Sequence, residues 1–290
     1  MREGTVRLRE GRLLGYAEYG DPRGAPVLLL HGLPGSRFQR HPDESIARRI
    51  GVRLIVLERP GFGLSSPAPG GSLRARAADA AALADALGVP RFRVLAVSGG
   101  APSGCACGWA LGERVERLAL VSGLGPPESM RAAALMPRLG FALARRAPAA
   151  MRPFVALGAR IALRAVRAPA RELDRLARHL PEADLRVLAR EEVRAMFAED
   201  LRAAFAQGVA GFVDDLALAA RPWGFELKAI RVATEIWHGE EDPIVPPAAA
   251  RALAEIPGSR LHLLPGEGHY LVLEHWAEIL EALLRPGGIG

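Results

Sequence analysis

The chain has 290 residues, half of them hydrophobic and about a quarter charged, which suits one large α/β domain or a domain carrying a sizeable insertion. No run approaches the roughly 18–20 unbroken apolar residues of a membrane span, and the N-terminal MREGTVRLREG is charged where a signal peptide needs an apolar core, so a cytoplasmic location is expected. The formal charge of +6 is almost all arginine, Lys228 being the only lysine, and it comes with neither aromatic interleaving nor a motif for nucleic acid, which is excluded as a partner.

Along the chain, TVRLRE, a turn at Gly11 and RLLGYAEYG predict a hairpin. PVLLL is a short, wholly apolar strand ending at His31, and HGLPGSRF is loop. RLIVLE (53–58) is a second buried strand, closed by the glycine- and proline-punctuated RPGFGLSS. Ser72 is placed to cap a helix over 73–87, on which Leu73, Ala77, Ala80, Leu83, Ala84 and Leu87 fall near helical spacing. A strand over 92–97, a helix from about 100 and a strand over 117–123 follow. Cys105 and Cys107, two apart in that helix, point to different sides and read as small buried hydrophobes rather than a disulfide or metal pair. Residues 126–222 show only helical periodicity, broken by Pro137, Pro148, Pro153, Pro169 and Pro181. Strand texture returns over 230–239 and 259–266, with helices around 247–255 and from about 274. Short apolar strands alternating with helices imply a mostly parallel sheet covered on both faces, and the simplest parse is an α/β core (1–125 and 223–290) interrupted by a helical cap (126–222).

Within RFRVLAVSGGAPSG the strand runs into Ser98, and small residues, Ala96 and Gly100, stand two away on either side. Crowding on a sharp strand-to-helix turn demands such neighbours, and a helix N-terminus behind the hydroxyl favours developing negative charge. The pattern is the small-x-Ser-x-small nucleophile elbow with alanine in place of the first glycine, although a plain helix cap would use the same residues. A nucleophilic serine needs a histidine base, and that base needs an orienting carboxylate. His262 lies inside a strand, His275 on the last helix, His41 and His179 at surface or cap positions, and His238 at a turn. His269, in PGEGHY just past an apolar strand, is free to project from a loop. Among Glu240, Glu241 and Asp242 in EIWHGEEDPIVPP, the short Asp242 in a tight turn before Pro243 suits an imidazole best, while the glutamates read as solvated charges. The resulting order is Ser98, Asp242, His269.

With HGLPGS at 31–36, RPGFGLS at 59–65, VSGGAP at 97–102, HGEEDPIVP at 238–246 and GEGHY at 266–270, the chain resembles an α/β-hydrolase fold protein, in the branch carrying HGxPGS, RPGFGxS and a Ser-Gly-Gly elbow. The resemblance implies a helical cap in the 126–222 insertion. It also implies an oxyanion hole made by the backbone N–H groups of Leu33 and Gly99, and chemistry needing no metal or other cofactor. Ala96 and Ala101 depart from the glycines usual there. Glu235 stands in a strand that is usually apolar in this family, and the sequence offers no account of it.

Residues 129–171 contain nine arginines (131, 138, 145, 146, 152, 160, 164, 167 and 171) and no acidic residue, interleaved with Met130, Leu135, Met136, Leu139, Phe141, Leu143, Met151, Phe154 and Ile161. Solvated cap helices in an arginine-biased chain are the favoured reading, ahead of docking on an anionic membrane surface. The expected function is a serine hydrolase acting on a small-molecule substrate, foremost a carboxylesterase for small to medium apolar esters. C–C bond hydrolysis, lactone hydrolysis, peptidase or cofactor-free haloperoxidase chemistry on the same residues are alternatives, as is a non-catalytic binding protein of the same fold. Sequence does not fix the oligomeric state.

Overall fold

A computed structural model of the chain describes residues 1–165 and 180–285. Its core is an eight-stranded sheet of β1 (Arg2–Arg7), β2 (Leu13–Gly20), β3 (Ala25–Leu30), β4 (Val52–Leu57), β5 (Phe92–Val97), β6 (Val115–Val121), β7 (Thr234–Gly239) and β8 (Arg260–Leu264). The order across the sheet is β1-β2-β4-β3-β5-β6-β7-β8. β1 pairs antiparallel with β2, and β2 with β4; every other neighbouring pair is parallel.

The apolar runs build two layers through the two-residue period of a strand. Leu28 and Leu30 of β3, Val94 and Ala96 of β5, and Leu118 and Leu120 of β6 enter one core. Helices α2 (Leu73–Ala86) and α3 (Ala101–Ala110) cover that side. The alternate residues Val27, Leu29, Leu95, Val97, Ala119 and Val121 enter the other core, which includes residues of α1 (Ser45–Ile50) and of the C-terminal helices. Ser72 caps α2 as expected, its Oγ accepting the Ala75 N–H at 3.2 Å. Both cysteines are buried in α3, where burial pushes the Cys107 thiol up to about 12 and Cys105 up as well.

Three departures from the sequence reading have physical causes. Helix α1 follows a loop whose prolines and glycines mask its six residues. Ile230 and Val232 are buried, yet they do so ahead of β7, whose pairing with β6 starts only at Thr234 opposite Leu118. The final helix is two pieces, Leu271–Glu274 and Trp276–Leu284, parted at His275.

Between β6 and β7 the described residues form helices and no strand: α4 (Leu135–Arg146), α5 (Pro148–Ala165), α6 (Glu182–Ala189), α7 (Glu191–Ala204) and α8 (Ala210–Ala219). Helix α9 (Pro247–Leu253) follows β7, and the C-terminal pieces are α10 (Leu271–Glu274) and α11 (Trp276–Leu284). The apolar residues read as one face of the basic stretch divide. Met130, Phe141 and Met151 enter a third core with Val213 and Val245, whereas Leu135, Met136, Leu139, Phe154 and Ile161 are exposed. Pro169, Arg167, Arg171 and His179 lie outside the described residues. Among the described residues no helix is long and apolar enough to cross a membrane.

Candidate active site

Ser98 closes β5 at the carboxyl end of the parallel strands, immediately before α3, with φ of +50°. A non-glycine residue in that left-handed region stores roughly 1–3 kcal/mol and persists only where its surroundings hold it there. The surroundings are tight. A Cβ on Gly100 would stand 2.3 Å from the Leu30 carbonyl oxygen, so the end of β3 passes against the turn because that residue is glycine. The alanine at 96 is accommodated by a second glycine, Gly104 of α3. A Cβ there would come within 2.6 Å of the Ala96 methyl, so the strand and the helix share one methyl between them.

His269 reaches Ser98 from the loop after β8. Its Nδ1 lies 2.7 Å from Asp242 Oδ2, so Nδ1 carries the proton and donates it to the carboxylate. Nε2 is left to accept from the Ser98 hydroxyl at 3.1 Å. Burial pulls the imidazole toward neutrality, but the Asp242 charge and hydrogen bond, with Asp184 adding to them, outweigh it and hold His269 above its ordinary value. Asp242 is likewise pushed up by burial and brought below the ordinary carboxylate value by the His269 charge and hydrogen bond. Its other oxygen, Oδ1, accepts the N–H groups of Ile244 (2.8 Å) and Val245 (2.9 Å), which fixes the carboxylate in the turn. Glu240 and Glu241 are exposed.

The segment after β3 lies directly against the elbow. A Cβ on Gly99 would meet the Leu33 Cβ at 2.4 Å and the Leu33 nitrogen at 3.2 Å, so the Leu33 and Gly99 peptides are neighbours at the Ser98 turn. Gly32 N–H donates to Gln39 Oε1 at 2.5 Å. The buried His31 is kept neutral by burial and by the Arg59 charge; its Nδ1–H donates to Gly32 O at 2.8 Å and its Nε2 accepts the Arg59 N–H at 3.1 Å. It ties the HGLPGS loop to the RPGFG loop.

Ser98 and His269 open on a cavity of about 360 Å³ whose walls are mostly apolar, with Val97, Leu188, Met196, Phe197, Ile244 and Trp276 among them. Its polar wall includes Gln39, Arg40 and Asp200. Arg40 is engaged, at 3.2 Å from Glu44 and 3.1 Å from the Phe38 carbonyl. Among the described residues no group of three or more His, Cys, Asp or Glu could hold a metal ion.

Of the remaining described histidines, His238 borders this cluster, its Nε2 3.6 Å from Asp242 Oδ2, and the others fall outside it. His238 is buried beneath it, bonded to Val245 O at 3.0 Å, and burial holds it below its ordinary value. His262 sits in β8 with Nε2 2.7 Å from Glu235. That contact, with Arg117 at 3.4 Å, accounts for the carboxylate in β7: Glu235 is the centre of a buried cross-strand cluster. His41 accepts the Asp43 N–H at 3.0 Å, and His275 contacts Glu278 and Glu267. Sequence reasoning missed Asp184, Asp200 and Asp215, three buried aspartates of α6, α7 and α8 that grip the loops of the site. The signal was present, since Asp184 precedes Val187 and Leu188, and Asp200 follows Val193 and Met196, at the spacing of one apolar helix face.

Comparison with known proteins agrees with this architecture. The family model described as alpha/beta hydrolase fold matches residues 25–275. A curated 2-hydroxy-6-oxononadienedioate/2-hydroxy-6-oxononatrienedioate hydrolase from Pseudomonas putida is 29% identical over 93% of this chain and 91% of its own length. Among solved structures, a bromoperoxidase from Bacillus anthracis superposes with a TM-score of 0.70 at 21% identity, covering 98% of both chains. A thermophilic esterase from Thermogutta terrifontis does so with 0.65 at 24% identity, again over 98% of both. A family match running from β3 through α10 spans the whole parallel sheet, and the chain therefore belongs to the alpha/beta hydrolase fold family.

Proposed function

We propose that the protein is a serine hydrolase with Ser98 as nucleophile, His269 as base and Asp242 as its orienting acid, acting on carboxylic esters of small to medium size. Residues 126–222 serve as its cap. The observation that carries the reading is the hydrogen-bonded chain Asp242–His269–Ser98 opening on a mostly apolar cavity. Ser98 Oγ attacks the ester carbonyl while its proton passes to His269 Nε2, and Asp242 stabilises the imidazolium without taking a proton. The oxyanion of the tetrahedral intermediate is received by the Leu33 and Gly99 N–H groups, donors that need no reorganisation as charge develops. His269 then returns the proton to the leaving alcohol, and water, deprotonated by the same nitrogen, releases the acid from the acyl-enzyme.

C–C bond hydrolysis, the activity named for the Pseudomonas putida relative, is the second reading. That name denotes a dicarboxylate substrate. The cavity here offers Asp200 as a wall group, and Arg40, the one cation of its wall among the described residues, is already paired, which favours an uncharged ester. A panel of p-nitrophenyl esters of rising acyl length tests the reading, with Ser98→Ala as control. Turnover of short to medium esters that Ser98→Ala abolishes is expected. No turnover together with no labelling by a fluorophosphonate would sink it and leave a binding protein.

A further inference from the structure

Asp184 and Asp200 are each 1% exposed and Asp215 is 7% exposed. All three stand on cap helices, and each turns its carboxylate out of the cap onto a loop of the catalytic core. Asp184 Oδ2 accepts the His269 main-chain N–H at 3.0 Å, and Oδ1 accepts that of Tyr270 at 2.8 Å. The approach is so close that a Cβ on Gly268 would lie 2.3 Å from Oδ2, so the glycine of GEGHY admits the cap carboxylate. Asp200 Oδ1 accepts from Ser36 twice, from its N–H at 2.7 Å and its hydroxyl at 2.6 Å, while Oδ2 accepts Gln39 Nε2 at 3.3 Å. The same Gln39 holds Gly32 N–H, so Asp200 reaches the peptide next to Leu33 through one amide. Asp215 binds Arg59 Nε at 2.5 Å, and that guanidinium donates to the carbonyls of His31 and Gly32 (3.1 Å for the latter).

A buried carboxylate held by amide and hydroxyl donors carries a desolvation cost that an apolar residue would avoid. Asp184 and Asp200 both interrupt apolar helix faces to occupy their places. Their donors belong to the two loops whose placement acyl transfer needs to within a fraction of an ångström. We propose that Asp184 and Asp200 are positioning residues through which the cap completes the active site, Asp184 by fixing the His269 main chain and Asp200 by fixing the oxyanion loop. The proposal rests on the assignment of Ser98, His269 and Asp242 made above. Cap docking and catalytic geometry are then one equilibrium: a cap that lifts releases the base and the oxyanion donors together.

The groups facing His269 are Asp242 from the loop after β7, His238 below it, Asp184 from α6, Ser98 from the elbow and the Tyr270 ring beside it. Asp184 is a second negative charge near the imidazole, so removing that charge moves the acid limb of kcat/KM to lower pH. Partial unfolding would lower the amplitude of the profile and leave its limb in place. The test is the second-order rate of Ser98 labelling by a fluorophosphonate, and p-nitrophenyl butyrate turnover, each per titrated site and across pH. For Asp184→Asn the expected result is a loss of roughly ten- to a hundred-fold, mainly in kcat, with the acid limb displaced downward. Asp200→Asn should lose a similar factor in kcat with KM nearly unchanged and the limb unmoved. Should Asp184→Asn not fold, Asp184→Ser, which keeps one acceptor and no charge, is read in the same way. Wild-type labelling with variants of wild-type rate and limb would overturn the proposal and leave the nucleophile assignment intact. Labelling that survives Ser98→Ala would instead overturn that assignment, and the proposal with it.

Discussion

Gly104→Ala is the substitution that probes the elbow without touching its chemistry. A Cβ at 104 would face the Ala96 methyl at 2.6 Å, with Leu118 Cδ1 and Leu120 Cδ2 each at 3.4 Å. Carbon atoms rest at about 3.5–4.0 Å, so the first contact is about 1 Å too short. Both methyls are fixed to backbone, one in β5 and one in α3, and neither can swing aside. Overpacking of this kind costs about 3 kcal/mol at the upper end, and alanine returns about 1 kcal/mol of helix propensity. A net loss of about 2 kcal/mol is expected in urea unfolding. Because α3 starts just after Gly99 and Gly100, its displacement should also slow Ser98 labelling. Ala96→Gly alone should cost about 1 kcal/mol, for a glycine in a central strand. Placed on Gly104→Ala it should instead restore most of the stability, since it moves the shared methyl from the strand to the helix. A double-mutant cycle therefore yields a coupling of about 3 kcal/mol of favourable sign, the full overpacking cost. Additive losses, or a Gly104→Ala protein as stable as wild type, would refute the packing account of this departure from the family pattern.

Further outcomes follow from the charges. Since the Asp242 and Asp184 carboxylates outweigh burial at His269, its imidazole is neutral only above a pKa that lies above the ordinary histidine value. The kcat/KM profile on an uncharged ester should fall toward acid with its midpoint above about 6.5, the ordinary histidine pKa; a midpoint at or below that value would contradict it. Asp200, pushed up to about 7 by burial against the donors that favour its charge, binds its proton more tightly folded than unfolded. Its contribution to stability is therefore present below the unfolded carboxylate value and is lost as pH rises through about 7. Melting curves should show the difference between wild type and Asp200→Asn moving in the variant's favour from about pH 4 to about pH 7. Glu235→Leu removes the acceptor of His262 and Arg117, and should cost about 2 kcal/mol in urea unfolding while kcat per labelled site stays at wild type. A changed kcat would tie that cluster to the chemistry.

The parts of this molecule legible in its sequence are those governed by local rules. Wholly apolar runs such as PVLLL and FRVLAV become central parallel strands because both of their faces must be covered, and punctuation by glycine and proline marks the loops between them. The clustering of Ser98, Asp242 and His269 could be anticipated because each lies at or a few residues beyond the carboxyl end of a strand, in an order restricted to few folds. What stayed hidden depends on tertiary neighbours. Glu235 looks misplaced in β7 until Arg117 and His262 arrive from the strands on either side. Ala96 looks like a fault in the elbow until Gly104 faces it across the strand–helix contact.

The aspartates of the helices between β6 and β7 pose the harder case. On a helix wheel Asp184 and Asp200 sit among apolar residues, a local conflict that propensity and burial rules score as an error. Such conflicts persist where the conflicting group meets a partner that a nonpolar side chain could not serve. Here the partners are the main-chain N–H groups of His269 and Tyr270 and the donors of Ser36 and Gln39, on the loops after β8 and β3. A carboxylate on an apolar helix face is thus itself a sequence signal. It marks where these helices meet the loops after β3 and β8, because buried main-chain and amide donors there recover part of the cost of burying a carboxylate.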